Sequence, residues 1–323
     1  MSFDRKGRAS GQTAAALLLT ALVAIAAPAP YPDDAKKKDP EAIGARKVDS
    51  GINFYSVEKE IALGKQLAIE VQRQAKLLDD PIVEEYINRL TQNLTRNSDV
   101  KFPVTIQIID DDIVNAFTLP GGHLFINTGL IRLSESESEL ASVISHELGH
   151  VAARHYVRQA SRGDLLTGAT IPLIFLGGVP GMAARELANM GVPVGMFKFS
   201  RDFETEADML GIQYLYKTGY DPTAAIDMLE RVDAAETRRP GSVFQLFETH
   251  PMTTDRINKT QKNIQQYLPA RPEYVVNTSE YEDIRARVVS LQERRKVIEK
   301  PAPTLYSKPG ESKDDRPTLK RPN

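Results

Sequence analysis

His146-Glu147-Leu148-Gly149-His150 sets two histidines four residues apart with an acid beside the first. On a helix, residues i and i+4 project from one face about one turn apart, so both imidazoles can grip one ion. Neutral imidazole suits zinc, whose catalytic sites take three protein ligands and leave a fourth position for water. Zinc lowers the pKa of that water to about 7, and Glu147 is placed to take its proton rather than to bind the metal. The chemistry implied is metal-assisted hydrolysis with one zinc ion (Zn2+) per chain. Three fixed residues recur by chance in a chain of this length on the order of once per hundred sequences. Spacing alone therefore leaves open an amphipathic helix whose His and Glu are merely exposed.

A third ligand is the first test. One class of such sites places a His six residues after the second, but position 156 is Tyr. Another class draws a Glu from a separate downstream helix, and Glu204-Thr205-Glu206-Ala207-Asp208 falls on a stretch that reads as one. Glu204 and Asp208 share a face, which allows Glu204 to bind the metal while Asp208 accepts from a ligating imidazole and fixes its tautomer. A solvated acidic stripe fits the same spacing. Cysteine is absent, which excludes disulfides, thiolate metal sites and Cys nucleophiles, so any metal must be held by nitrogen and oxygen. The net charge of -2 gives no long-range field to attract nucleic acid, so none is expected as a partner.

The elements that must position these residues alternate between helix and short strand. Apolar residues from Val57 to Leu78 fall on one face, as a surface helix requires. Asp80 before Pro81 supplies an N-cap and a first-turn proline for a second helix through Leu94. Val104, Ile106 and Ile108 alternate with polar residues, and 117–119 and 124–126 read as further strands about a Gly121-Gly122 turn. Ser136 and Glu139 form a capping box for a helix expected to run to about Gln159, with the His pair inside it. Another helix is expected over about 200–217, ended by Gly219, with Asp221-Pro222 opening the next. Shorter helices should follow to about Tyr267, then a charged amphipathic helix over 279–299.

The ends carry a different signal. Arg5, Lys6 and Arg8 precede an uncharged stretch from Ala14 to Ala27, with Ala24 and Ala26 spaced as a cleavage site, so residues 1–27 read as a secretory signal peptide. The apolar run falls short of the roughly 20 residues that span a bilayer, although a membrane anchor is the alternative. The periplasm is the expected compartment. Residues 28–50 and 300–323, rich in Pro, Lys and Asp, read as a linker and a disordered tail. Between them lie a metallopeptidase domain over 51–267 and a helical extension over 268–299. Residues 165–184 carry no charge but are interrupted by Gly and Pro, which favours a hairpin near the site and leaves peripheral membrane association open.

Three motifs in order carry a family resemblance: Asn115 to Gly122 reading NAFTLPGG, His146 to His155 reading HELGHVAARH, and Ser200-Arg201 leading into Glu204 to Asp208. Over roughly 56–265 the chain resembles the gluzincin endopeptidases of the CAAX prenyl protease, HtpX and periplasmic beta-barrel assembly-enhancing protease type. The resemblance implies an α+β, mainly helical zincin-like domain with a small β-sheet. It makes Glu204, rather than Glu206, the third ligand, and Asn115, Phe117, Gly121 and Gly122 part of a strand edge on which substrate lies. An extended peptide adding to such an edge gains main-chain hydrogen bonds whatever its sequence, so the implied substrates are unfolded or extended polypeptides. Thr249-His250-Pro251 resembles a downstream His-Pro element, which implies that His250 caps the open metal position or steadies the oxyanion. His123 and His155 lie at no ligand spacing and receive no role. The function expected is endoproteolysis of misfolded envelope proteins, and the alternative is a peptide-binding chaperone with a latent, self-capped zinc site.

Overall fold

The computed structural model describes residues 36–167, 199–238, 250 and 254–299. The expected signal peptide, the expected disordered tail and most of the uncharged 165–184 stretch lie outside them. The described residues form an α+β arrangement in which helices surround a small mixed sheet. Strand β1 (Thr105–Ile109) runs parallel to β3 (His123–Asn127), and β2 (Ala116–Leu119) runs antiparallel to it, in the order β1-β3-β2. The β2–β3 hairpin turns on Gly121 and Gly122, at φ of 75° and 83°, a region L side chains rarely adopt.

Helix α1 (Val57–Gln74) starts on Ser56, and α2 (Pro81–Arg96) starts on Asp80, whose carboxylate accepts from Val83 N–H at 3.2 Å. Helix α1 stops four residues short of the expected Leu78. Leu77 bridges to Ile109 and Leu78 N–H donates to Ile108 O at 2.8 Å, so pairing with β1 replaces another helical turn. Helix α3 (Thr128–Leu133) follows the sheet, and α4 (Glu137–Ala152) carries the His pair. Only His146 of α4 is not buried, because α2, α5, α6, α7 and β2 surround it.

Helix α4 does not run on to Gln159. It ends at Ala152, Arg154 takes a φ of 53°, and α5 (His155–Thr167) sets off in a new direction. No Gly or Pro marks this break. Tertiary contacts hold it: Arg154 Nε donates to Glu60 Oε2 at 2.6 Å and Nη2 to Tyr55 O at 2.8 Å. Then come α6 (Arg201–Thr218), capped by Ser200 and ended at Gly219, α7 (Ala224–Arg238), α8 (Thr254–Tyr267) and α9 (Ser279–Glu299).

Leu140, Ile144 and Leu148 of α4 form the main core with Ile87, Ile126 and Tyr214, each such burial contributing roughly 1.5–3 kcal/mol. The terminal regions join it. Tyr281, Ile284 and Val288 of α9 are buried in the same core, and Tyr281 Oη donates to Ile131 O and Ser134 O. Within 36–50, whose composition predicts a linker, Val48 enters the core and Arg46 is 3% exposed. Arg46 Nε donates to Asp99 Oδ2 at 2.9 Å and Nη1 to Gln213 Oε1 at 2.6 Å, so a buried charge pair holds down a segment poor in apolar residues. No helix among the described residues is long and apolar enough to cross a membrane.

Candidate metal centre

Helices α4 and α6 cross with almost nothing between them. A Cβ on Gly149 would lie 2.8 Å from Ala207 O, and one on Gly211 would lie 3.1 Å from His146 Cα, so any side chain at either place pushes the helices apart. This close approach brings Glu204 to the imidazole pair. Its Oε2 stands 3.5 Å from His146 Nε2, and its Oε1 3.5 Å from His150 Nε2. His250 joins them, with Nδ1 2.9 Å from Glu204 Oε1 and 3.3 Å from His146 Nε2. One potential ligand atom from each of His146, His150, Glu204 and His250 lies within 4.8 Å of all the others.

The hydrogen bonds behind the imidazoles set their tautomers. Asp208 Oδ1 lies 2.9 Å from His146 Nδ1 and takes Arg256 Nη2 at 2.7 Å, while Oδ2 takes Arg256 Nε at 2.8 Å. Burial opposes the Asp208 charge, but Arg256 and His146 outweigh it and keep the carboxyl below its usual range. It therefore accepts the His146 Nδ1 proton and leaves a lone pair on Nε2. Behind His150 the chain is longer. His155 Nδ1 lies 3.0 Å from His150 Nδ1, and His155 Nε2 lies 3.0 Å from Glu206 Oε2. Burial again opposes the Glu206 charge, and His155 and Arg158 outweigh it, holding the carboxyl at about 2. Burial pushes His155 down to about 4 and His150 well below its usual value, so both are neutral. Glu206 accepts from His155 Nε2, His155 Nδ1 accepts from His150 Nδ1, and His150 Nε2 keeps its lone pair.

Two lone pairs thus face one another across the 3.0 Å between the Nε2 atoms, beside an ionised Glu204. Burial works against the Glu204 charge, and His250, His146 and His150 outweigh it, leaving its pKa well below normal. Glu204 Oε2 has no hydrogen-bond partner, Arg256 Nη1 being an ion contact at 3.1 Å without hydrogen-bond geometry. Such an arrangement needs a cation. Without a metal, a proton serves: burial disfavours charge on His146, but Asp208 and Glu204 prevail and raise it to about 10. With zinc the fit is close, since tetrahedral ligands at about 2.0–2.1 Å stand roughly 3.3 Å apart. The Nε2–Nε2 and Nε2–Glu204 separations here run from 3.0 to 3.5 Å, and imidazole with carboxylate is a zinc donor set.

Glu147 lies between this cluster and the sheet. Thr118 Oγ1 of β2 donates to its Oε2 at 3.1 Å, and its Oε1 has no hydrogen-bond partner and stands 3.4 Å from His250 Nε2. Burial raises its pKa, partly countered by His250 and His146.

The remaining expected residues are placed differently. Phe117 is 2% exposed and stacks on Phe125 at 5.2 Å, which turns its ring into the core. Asn115 is buried before β2, with its carbonyl accepting from Asn127 N–H at 2.9 Å. A Cβ on Gly121 would meet Ile61 Cα at 2.8 Å and one on Gly122 would meet Pro103 O at 2.8 Å, so both pack the hairpin against its neighbours. His123 pairs with Thr105 Oγ1 on the sheet, away from the cluster. Sequence reasoning missed Thr118, Arg256 as a partner of Asp208, and His155 with Glu206. His155 was visible as the last residue of HELGHVAARH, but only the break at Arg154 turns its ring onto His150.

A sequence profile of Peptidase family M48 matches residues 81–264, more than half of the chain and all of the cluster. The chain belongs to Peptidase family M48, a zinc-dependent metallopeptidase family. It is 32% identical over 246 residues to the beta-barrel assembly-enhancing protease of Escherichia coli (strain K12), an alignment covering 73% of this chain and 49% of that protein. The protein of the same name from Yersinia pestis is 31% identical over 222 residues, 66% of this chain and 46% of the relative. The mitochondrial metalloendopeptidase OMA1 of Schizosaccharomyces pombe is 33% identical over 191 residues, 57% and 52% of the two chains. The chain spans about half the length of these curated relatives.

Proposed function

We propose that the chain is a zinc-dependent endopeptidase that hydrolyses unfolded or extended polypeptides of the cell envelope, as part of protein quality control. The observation that carries this reading is Glu147: a buried carboxylate with one oxygen held by Thr118 and the other free of any hydrogen bond, 3.4 Å from His250 Nε2, beside a facing pair of imidazole lone pairs. His146, His150 and Glu204 hold the metal in this reading. Asp208 and the His155–Glu206 pair orient the imidazoles. Zinc, when bound, supplies Lewis-acid polarisation of the scissile carbonyl and acidifies water to a pKa of about 7. Glu147 takes the proton of the attacking water and delivers it to the leaving amine. Burial brings its pKa closer to neutral, which suits a group that must both accept and return a proton.

Edge strand β2 abuts the site through Thr118, which supports an extended substrate aligned along it. The envelope setting draws on the signal-like residues 1–27 and on two relatives named for enhancing beta-barrel assembly. Casein cleavage with and without chelator tests the activity. Cleavage should stop on chelation and in Glu147→Gln, whose zinc content should stay that of wild type. Cleavage that survives chelation overturns the reading.

A second reading is favoured by His250. With Nδ1 2.9 Å from Glu204 Oε1 and 3.3 Å from His146 Nε2, it stands where a fourth ligand would close the site, leaving a latent enzyme or a peptide-binding chaperone. Replacing His250 with Ala then raises casein cleavage, whereas a fall assigns it to the oxyanion. Aggregation suppression that persists in Glu147→Gln while no variant cleaves casein favours the chaperone.

A further inference from the structure

Among the described residues Arg154 alone has a positive φ without being glycine, at 53°, a conformation that disfavours L side chains and persists only where its surroundings hold it. Those surroundings are α1 and the residues leading into it. Arg154 Nε donates to Glu60 Oε2 at 2.6 Å and Nη2 to Tyr55 O at 2.8 Å, and the Glu60 side chain is 2% exposed. Glu60 has a second partner, because Gly121 N–H in the β2–β3 turn also donates to its carboxylate. Helix α1 presses on that turn. A Cβ on Gly64, one helical turn after Glu60, would lie 1.7 Å from Pro120 O, and one on Gly121 would lie 2.8 Å from Ile61 Cα. We infer that Glu60 and Arg154 form a clamp that sets two parts of the site from outside it: Arg154 aims His155 at the ligand His150, and Glu60 fixes the end of the strand on which substrate lies. Both are positioning residues. The strand arm rests on the endopeptidase reading above, and the histidine arm rests only on zinc binding.

The histidine arm follows from chain geometry. His155 begins α5 directly after Arg154, so the backbone torsions at Arg154 decide where its ring goes, and that ring stands 3.0 Å from His150 Nδ1. With the ion pair lost, residue 154 is free to leave the left-handed region and α5 can pivot. His150 then loses the acceptor that fixes its tautomer. The strand arm follows from the sheet. β2 is an edge strand, and the line it offers to an extended peptide is set by where its turn is pinned. Glu60 pins it at Gly121, three residues beyond Thr118, whose hydroxyl holds Glu147. Charge-assisted hydrogen bonds suit this task because they fix direction as well as distance.

The test is a cycle of zinc affinities on the full chain, measured in competition with a chromophoric chelator, with near-UV circular dichroism of the tyrosines confirming that each variant is folded. Glu60→Ala and Arg154→Gly should each weaken zinc binding about 10-fold, although glycine is at ease at that φ. In a His155→Ala background the same two substitutions should change zinc affinity by less than about twofold, because the clamp reaches the metal through that ring. Wild-type affinity in both single variants, or the full loss repeated in the His155→Ala background, overturns the inference. Should Glu60→Ala not fold, Glu60→Gln, which keeps the size and one acceptor oxygen, is read in its place with the same outcomes. The strand arm is read on an extended peptide cleaved by the zinc-saturated chain. Glu60→Ala should raise KM several-fold with kcat changed less, whereas Arg154→Gly, which leaves the Gly121 contact in place, should keep a KM near that of wild type. Equal KM values in the two variants overturn the strand arm. Absence of any chelator-sensitive cleavage sinks the endopeptidase reading and the strand arm with it, and the zinc cycle then decides the histidine arm by itself.

Discussion

His146 and His150 face the same point from the same helix, but they hang on unlike supports. His146 is held by one carboxylate, Asp208, which Arg256 locks from behind. His150 is held by another imidazole, His155, which passes the restraint to Glu206 and on to Arg158 and Lys37. The first support is short and buried. The second is longer, and Glu206 is 20% exposed at its end. A short support concentrates the cost of failure on one cation, and a relay spreads it over several side chains.

Removing Arg256 should therefore have the largest effect. Arg256→Ala removes the guanidinium that Asp208 and Glu204 share, and breaking a buried pair in this way costs about 3–5 kcal/mol. Urea unfolding of the metal-free protein reads this loss, and a change under 1 kcal/mol would remove the distinction between the supports. Next come the groups that touch the imidazoles. Asp208→Ala and His155→Ala should each weaken zinc binding about 10–100-fold, as losses behind a metal ligand do, in competition with a chromophoric chelator. If His155→Ala binds zinc as tightly as wild type, the relay is only packing. Smallest is Lys37→Ala at the far end of the relay, where a partly exposed pair contributes under about 1 kcal/mol and zinc affinity should hardly move.

The same contrast separates what was legible in the sequence from what was not. Asp208 follows Glu204 by one helical turn, so a periodicity argument finds it at once. His155 follows His150 by five residues, which on a continuous helix would set it about 140° away and out of reach. It reaches His150 only because the chain breaks at Arg154, and that break depends on Glu60 and Tyr55, far earlier in the sequence. Local signals served well where the cause was local: the caps at Asp80 and Ser136 mark their helices, and the Gly121-Gly122 turn marks the hairpin. They failed where the cause was distant. The buried Arg46–Asp99 pair draws residues of apparent linker composition onto the core, and the aromatic of Phe117, within a motif suggestive of substrate contact, turns inward onto Phe125.

Zinc content after dialysis tests the shared point of both supports most directly, measured on wild type, His150→Ala, Glu204→Ala and Glu147→Gln. The account predicts one zinc per chain in wild type and in Glu147→Gln, with most of it lost from the other two. A Glu204→Ala protein that keeps its zinc at wild-type affinity would contradict it.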